Sequence, residues 1–558
     1  MTTKHLIELR GGRVFDPTHG IDGEVRTLYL SEAGMLPPPR ERDEIKESID
    51  LTGCVVMAGG IDMHTHIGGG KVNIARMMLP EDHLADLTTR GQYPRLGSGR
   101  AAPSTLTAGY RYAEMGYTAC FEPAMLPANA RQAHLEMGDT PIVDKGAYAL
   151  LGNDDFLLRQ LAGRADRKLI QDYIAWTLRA SQALAIKVVN PGGINAFKFN
   201  QRKLDLDETN AQYGITPRQI LLALAEGVQA LGLAHPLHIH GCNLGVAGNA
   251  ETTLATIKAL DGLPAHLTHV QFHSYGNEGD RKFSSGAQAI AELVNQHRNI
   301  SLDVGQIMFG QTVTESGDSM RQYAGSAFAS PKKSVIMDIE CDAGCGVVPF
   351  KYKNQNFVNA LQWTIGLELF LSVTDPWRVF LTTDHPNGAP FTSYPHLIRL
   401  LMDRSFRRDM LATLLPEAIA ASPLGTLERE YSLYEIAIIT RAGPARSLGL
   451  DNLGHLGSGA RGDVTVYVDN PNREEMFKRP RLVYKAGQLI VRDGKIVATP
   501  LGATHVTRVD YDPGIERHLD DYFERFMTVR RRNFMVADSE IEDLGQSRLQ
   551  FHSARRRG

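Results

Sequence analysis

Two histidines two residues apart, His64 and His66, close the run Met57-Ala-Gly-Gly-Ile-Asp-Met-His-Thr-His66. Val55, Val56 and Met57 predict the start of a buried strand. Successive strand side chains alternate faces, so both imidazoles share one face. Two imidazoles converging from a rigid strand end supply a divalent metal with its first two ligands. Taken alone, such a pair is equally well read as surface or hydrogen-bonded histidines. Further along, the same residue types recur at the ends of apolar runs. Lys187 lies inside Ile186-Lys-Val-Val189, where a lysine is seldom buried unless paired. His238 and His240 again fall two apart in Leu237-His-Ile-His240, and His269 and His273 follow in the next run. Asp384 is the first acid after the strand-like run Arg378-Val-Phe-Leu-Thr382. Each has a bland reading: His238 or His273 as a hydrogen-bonded core histidine, Asp384 as a helix cap, Lys187 as a chain that snorkels out of its strand. Those readings do not account for a metal-type group at nearly every strand end.

The order His-x-His, Lys, His, His, Asp fits one chemistry. Two divalent ions a few ångströms apart need a bridging anion, yet the middle strand offers a lysine and no acid. A desolvated lysine is driven toward its neutral form. A neutral amine adds CO₂ to give a carbamate, which bridges as a carboxylate does. The ion pair would bring a shared water toward a pKa of ~7 and polarise a carbonyl. Asp384 would accept the water's proton and later hand it to a leaving amine. The reaction expected is amide hydrolysis.

Side chains this far apart in sequence need a frame that gathers them. Residues 104–115 predict a helix followed by a strand at 118–121. An amphipathic helix over 168–185 precedes the strand at 186–189. Thr216-Pro217 opens a helix to about Leu231, with Gly232 as its stop. Strands at 237–240, 266–272, 300–303 and 378–382 continue the alternation. Repeated strand–helix units over residues 58–448 predict an α/β fold, a closed (β/α)₈ TIM-like barrel, with a doubly wound open sheet as the alternative. In such a barrel the site lies at the C-terminal strand ends. Residues 1–57 and 449–505 instead hold short strands between Gly and Pro turns. They predict one small β-sandwich domain split between the two chain ends. Residues 506–558 read as a C-terminal tail with a helix over 515–531 and two Arg-rich clusters, either a solvated basic end or a subunit-docking arm.

Composition bounds the remaining classes. With 558 residues, 43% hydrophobic and 22% charged, the chain can form a large globular domain and a smaller one. A net charge of −3 offers no global field for nucleic acid or acidic membrane, so neither is expected as a partner. Five cysteines without paired spacing argue for a reducing compartment. The Cys341/Cys345 pair is too sparse for an iron–sulfur cluster. The first residues are too polar for a secretion signal, and no apolar stretch reaches membrane-spanning length. A cytoplasmic protein is expected.

The run Gly59-Gly-Ile-Asp-Met-His-Thr-His66, with Lys187, His240, His269, Asp384, the split β-domain and Gly454-His-Leu-Gly-Ser-Gly-Ala-Arg-Gly-Asp-Val464, resembles the amidohydrolase superfamily in its dihydroorotase- and hydantoinase-like branch. The resemblance implies two divalent ions, zinc first among those this donor set accepts. Their ligands would be His64, His66, Lys187 as carboxylysine, His240, His269 and Asp384, the last also acting as general base. His240 is preferred over His238 as the last residue of its strand, and His269 over His273 for its family-like His-Val pattern. Longer stretches look like the family formed by the alpha subunits of formylmethanofuran dehydrogenase and of the formyltransferase/hydrolase complex. They are Lys187-Val-Val-Asn-Pro-Gly-Gly193, His238-Ile-His-Gly-Cys-Asn-Leu-Gly245, Thr268-His-Val-Gln-Phe-His-Ser-Tyr-Gly276 and Thr383-Asp-His-Pro-Asn-Gly388. This implies hydrolysis of N-formylmethanofuran to formate and methanofuran, the C1 carrier, in a hetero-oligomer with the complex's other subunits. The alternatives are the reverse condensation in the dehydrogenase and ring opening of cyclic amides of the dihydropyrimidinase or hydantoinase type. Asn243, His273, Tyr275, His385 and Asn387 are then expected to contact substrate or brace the ligands. Retention of all six ligand types argues against a non-catalytic scaffold.

Overall fold

The structure is a computed structural model describing residues 6–90, 95–198, 201, 204–315, 347–542 and 548–554; Cys341 and Cys345 lie outside the described residues. Eight strands carry the site: β1 (Gly60–Asp62), β2 (Tyr117–Met125), β3 (Asp144–Leu151), β4 (Ala185–Val189), β5 (Leu237–His240), β6 (Ala265–Leu267), β7 (Ile300–Asp303) and β8 (Val379–Phe380). Each pairs in parallel with the next, from β1 to β8. A parallel bridge between Thr65 and His385, just past β1 and β8, closes the ring. There the His66 N–H donates to the His385 carbonyl at 2.9 Å. The chain forms the expected (β/α)₈ TIM-like barrel, not the open sheet.

Alternation along the strands decides what faces inward. Ile186, Val188, Leu237, Ile239, Ala265, Leu267, Ile300 and Leu302 all join the large apolar core under the helices. Their neighbours Lys187, His238, His240, His266, Ser301 and Asp303 are thereby turned into the barrel, where all but Ser301 are buried. The surrounding helices follow local rules. Thr216 and Gln219 form a reciprocal capping box at the start of Pro217–Ala230, and Gly232 beyond its end has φ +66°.

Three local readings change. The strand expected over 266–272 stops at Leu267: His269 takes φ +36°, and Val270–His273 is a 3₁₀ turn. Its cause is Asp303, whose Oδ1 accepts the His269 N–H at 3.0 Å and takes it out of the ladder. Residues 55–57 belong to Cys54–Ala58, a strand of the small β-domain, and the barrel strand before His64 is the separate Gly60–Asp62. The strand Asp144–Leu151, missing from the sequence reading, opens with Asp-Lys-Gly, which hides its apolar remainder.

Both chain ends build the second, nine-stranded sheet. Strand Leu6–Asp16 pairs through residues 6–10 with Ile45–Asp50 and through 13–15 with Cys54–Ala58. Cys54–Ala58 then pairs antiparallel with Val464–Val468, joining the N- and C-terminal parts around Leu9, Val14, Val56 and Val466. Among the described residues near the C-terminal end, Thr504–Arg508 pairs with β3 at Lys145 and with Leu549–Ser553. Helix Ile515–Phe526 buries Ile515, Leu519 and Phe523 in the main core. No helix among the described residues is long and apolar enough to cross a membrane.

Asp144, the first residue of β3, clasps these parts together. It accepts from Lys485 Nζ at 2.8 Å, Arg461 Nη1 at 2.6 Å and the Ala503 N–H at 2.7 Å. Burial alone would raise this carboxyl, but Lys485 and Arg461 hold it well below the usual range. The stabilisation is present above the unfolded-state pKa and is lost as pH falls through the lower folded value. Replacing Asp144 by Ala leaves buried Lys485 with Asp463 alone and removes the carboxylate from part-buried Arg461, and is expected to cost about 3 kcal/mol. Urea unfolding at pH 7 measures this, and a loss under ~1 kcal/mol, the scale of an exposed pair, would contradict it.

Candidate active site

The site grows from the loop after β1. Asp62 anchors that loop: Tyr112 Oη donates to its Oδ2 at 2.7 Å, Tyr394 Oη donates to the same atom, and His64 N–H donates to Oδ1 at 3.1 Å. Burial is the main cause that pushes the Asp62 carboxyl up to about 7, so Asp62 braces the loop. His66 is aimed by Glu122 on β2, whose Oε1 lies 2.8 Å from His66 Nδ1. The other oxygen, Oε2, accepts the N–H groups of Ile67 at 2.8 Å and Gly68 at 3.2 Å.

Two groups of ligand-type atoms gather the expected residues, and a third joins His64 to His238 and Asp303. In the first, His64 Nε2 and His66 Nε2 lie 2.9 and 3.2 Å from Asp384 Oδ1. All three atoms are buried without a hydrogen-bond partner. Asp384 sits at φ +48° past β8, and Asn387 Nδ2 donates to its Oδ2 at 2.9 Å, which leaves Oδ1 to face the histidines. In the second, nitrogens of His240, His269 and His273 lie within 4.8 Å of one another. Both ring nitrogens of His269 lack a partner. The His64 and His269 rings, 5.4 Å apart, connect the two groups. His269 is seated against Gly305, where φ is +66° and a Cβ would come within 2.4 Å of the His269 Cβ.

Lys187, 2% exposed, stands on β4 in register with His238. After burial, its positive charge is a further cause lowering His64, His238, His240, His269 and His273. His64 is pushed down to about 4 and His273 to about 3, while His240 and His269 fall well below their usual range. These imidazoles are neutral at physiological pH, the form that binds metal. Burial would also lower His66, but Glu122 raises it above the ordinary value.

The donor chemistry fits a divalent ion. Imidazole and carboxylate lone pairs that face each other about 3 Å apart repel, and a cation between them turns that repulsion into attraction. Imidazole nitrogen plus carboxylate oxygen suits zinc and its first-row neighbours.

Of the residues expected from sequence, His64, His66 and Asp384 converge, as do His240, His269 and His273. Lys187 is the buried cation whose charge reaches across both groups. His238 lies deeper, its Nε2 2.9 Å from His64 Nδ1 and its Nδ1 3.0 Å from His235 Nε2. Of the remaining substrate-contact expectations, Asn387 braces Asp384. Asn243 is bound to Asp205 and Thr252, and Tyr275 Oη accepts from Gln271 and Gln362. His385 Nδ1 accepts the Phe391 N–H, and its ring stands edge-on to Phe391. The reading missed Glu122, Thr268, Asp303, His235 and His266. Strand parity was the available signal for Asp303, an inward acid ending a strand already recognised.

Metal and proton compete at His66, so metal retention is expected to fall as pH drops through the His66 titration. Glu122→Gln is expected to weaken divalent-metal affinity by about 10–100-fold, measured by chelator competition. Unchanged affinity would contradict the bracing role.

The sequence profile of the amidohydrolase family matches residues 47–498. The chain is 42% identical over 543 residues to the A component of the formyltransferase/hydrolase complex Fhc of Methylorubrum extorquens, covering 96% of this chain and 98% of the relative. It is 39% identical over 553 residues to the protein FwdA of Methanocaldococcus jannaschii, covering 95% and 96%. A chain in the crystal structure of the M. extorquens complex FhcABCD with methylofuran superposes with a TM-score of 0.91 at 40% identity, covering 99% of this chain and 100% of that one. Family profile, full-length relatives and fold agree: the chain belongs to the amidohydrolase family.

Proposed function

We propose that this chain is the amide-hydrolysing subunit of a multi-subunit C1 complex, releasing formate and methanofuran from N-formylmethanofuran. The observation that carries the reading is the convergence of unpartnered buried acceptors from His64, His66, His269 and Asp384 beside buried Lys187. It gains support from 42% identity along nearly the whole chain to the A component of Fhc. His64, His66 and Asp384 would hold one zinc ion and His240 and His269 the other, with Lys187 as a carbamate between them. A carbamate also relieves the site electrostatically, since it replaces a cation among five histidines by an anion. When bound, the ions supply an acidified water and polarise the formyl oxygen.

The chain's own groups handle the proton. Asp384 Oδ1 faces the site while Asn387 fixes Oδ2, so this carboxylate can accept a proton at one defined oxygen. It returns that proton to the amide nitrogen as the C–N bond breaks, which makes the amine a leaving group and frees formate. Run backward, the same transfers condense formate with the amine. The 39% identity to FwdA keeps that direction as the second reading. The segment after residue 505, which leaves Phe526 and Phe551 more than half exposed, is the proposed docking arm for partner subunits in the cytoplasm.

Incubating the protein and its co-purifying chains with N-formylmethanofuran, and scoring formate, tests the proposal. Lys187→Ala is expected to fold and to lose most bound metal and activity. Asp384→Asn is expected to lower kcat by about 10²–10⁴-fold. Full activity in Lys187→Ala would overturn the site assignment, and ring opening of dihydrouracil without formate release would overturn the substrate class.

A further inference from the structure

A file of three histidines runs up the barrel interior to the first metal group. At its foot is Ser447, in helix Gly443–Leu448, whose carbonyl oxygen lies 3.1 Å from His235 Nδ1 and whose Oγ lies 3.2 Å from it. His235 Nε2 is 3.0 Å from His238 Nδ1, and His238 Nε2 is 2.9 Å from His64 Nδ1. His235 and His238 are 2% and 0% exposed, so the file is shielded from bulk solvent.

We infer that His235 and His238 are positioning residues that fix the tautomer of His64, with the Ser447 carbonyl deciding which nitrogen of His64 offers its lone pair to a metal. The inference rests on the metal-site reading proposed above. A carbonyl oxygen only accepts, so the proton at that contact belongs to His235 Nδ1. A neutral imidazole carries one N–H, so His235 Nε2 accepts, and the proton between His235 and His238 sits on His238 Nδ1. The same step places the next proton on His64 Nδ1. His64 Nε2 is left with its lone pair, and it is this atom that lies 2.9 Å from Asp384 Oδ1 without a partner.

The surroundings agree with this polarity. Asp303 Oδ2, 3.6 Å from His64 Nδ1 and 3.9 Å from His238 Nε2, favours an N–H at His64 Nδ1. Asp303 is itself held by His266 Nε2 at 3.0 Å. The Thr268 hydroxyl at His64 Nδ1 can turn to accept from the same N–H. All three rings are buried, which disfavours their charged forms. The contrast with His66 is chemical: a carboxylate anchors His66 and raises it, whereas a neutral relay orients His64 without making it more basic.

The test uses full-length protein, metal-stripped and ¹⁵N-labelled at histidine, because imidazole nitrogen shifts separate Nδ1–H from Nε2–H. Expected are Nδ1–H forms for His235, His238 and His64 in wild type. His235→Gln keeps an acceptor toward His238 and a donor toward Ser447, so it should keep the His64 tautomer and bind Zn²⁺ nearly as wild type does. His235→Leu keeps the packing but breaks the relay. It should yield mixed His64 tautomers and raise the Zn²⁺ Kd by about 10–100-fold in chelator competition. His64 as Nε2–H in wild type would overturn the inference, as would a folded His235→Leu with wild-type Zn²⁺ affinity. If His235→Leu does not fold, the wild-type and His235→Gln spectra decide. Wild-type protein that binds no Zn²⁺ would defeat the metal-site reading, while the tautomer spectra judge the relay separately.

Discussion

Everything in this site depends on burying acceptors that have no protons to share. Closing the barrel through Thr65 and His385 brings His64 Nε2, His66 Nε2 and Asp384 Oδ1 together in a buried space. Unpaired buried polar atoms ordinarily cost a fold about 1–3 kcal/mol each. Here that cost is localised where a divalent cation would reverse its sign. The rest of the architecture holds these atoms still: Asp62 pins the loop of His64, Glu122 turns His66, Asn387 turns Asp384, and Gly305 makes room for His269.

The same principle extends below the site. Barrel interiors are usually filled by branched aliphatic side chains in layers. Here His235, His238, His266, Asp303 and Tyr148 occupy that space, and their partners are largely one another: Asp303 takes His266 and Thr382, and Tyr148 donates to the Met63 carbonyl at 2.6 Å. A polar core of this kind is stable only when its members are satisfied. Its benefit is direction, since each hydrogen bond constrains the tautomer of the next ring.

Much of this was legible in sequence because barrel strands write their two faces in alternation. Leu237-His-Ile-His240 states outright which residues pack on helices and which turn inward, and the strand is found with those bounds. The same parity, applied to 300–303, would have flagged Asp303. Parity failed at His269, because a left-handed turn set by a tertiary hydrogen bond has no local signature. Glu122, His235 and Ser447 were hidden for a related reason: their roles are defined by the pairs Glu122–His66, 56 residues apart, and His235–Ser447, 212 residues apart. Asn243 and Tyr275 lie in family-like motifs, yet their side chains are tied to neighbouring loops and helices.

A two-ion site bridged through Lys187 at these strand ends is tested most directly by crystals of the zinc-loaded protein, measured on both sides of the zinc absorption edge. Two anomalous peaks are predicted, one among His64, His66 and Asp384 and one beside His240 and His269, with carbamate density on Lys187 between them. A single peak, or zinc bound instead by His238 and Asp303 over an unmodified Lys187, would contradict it.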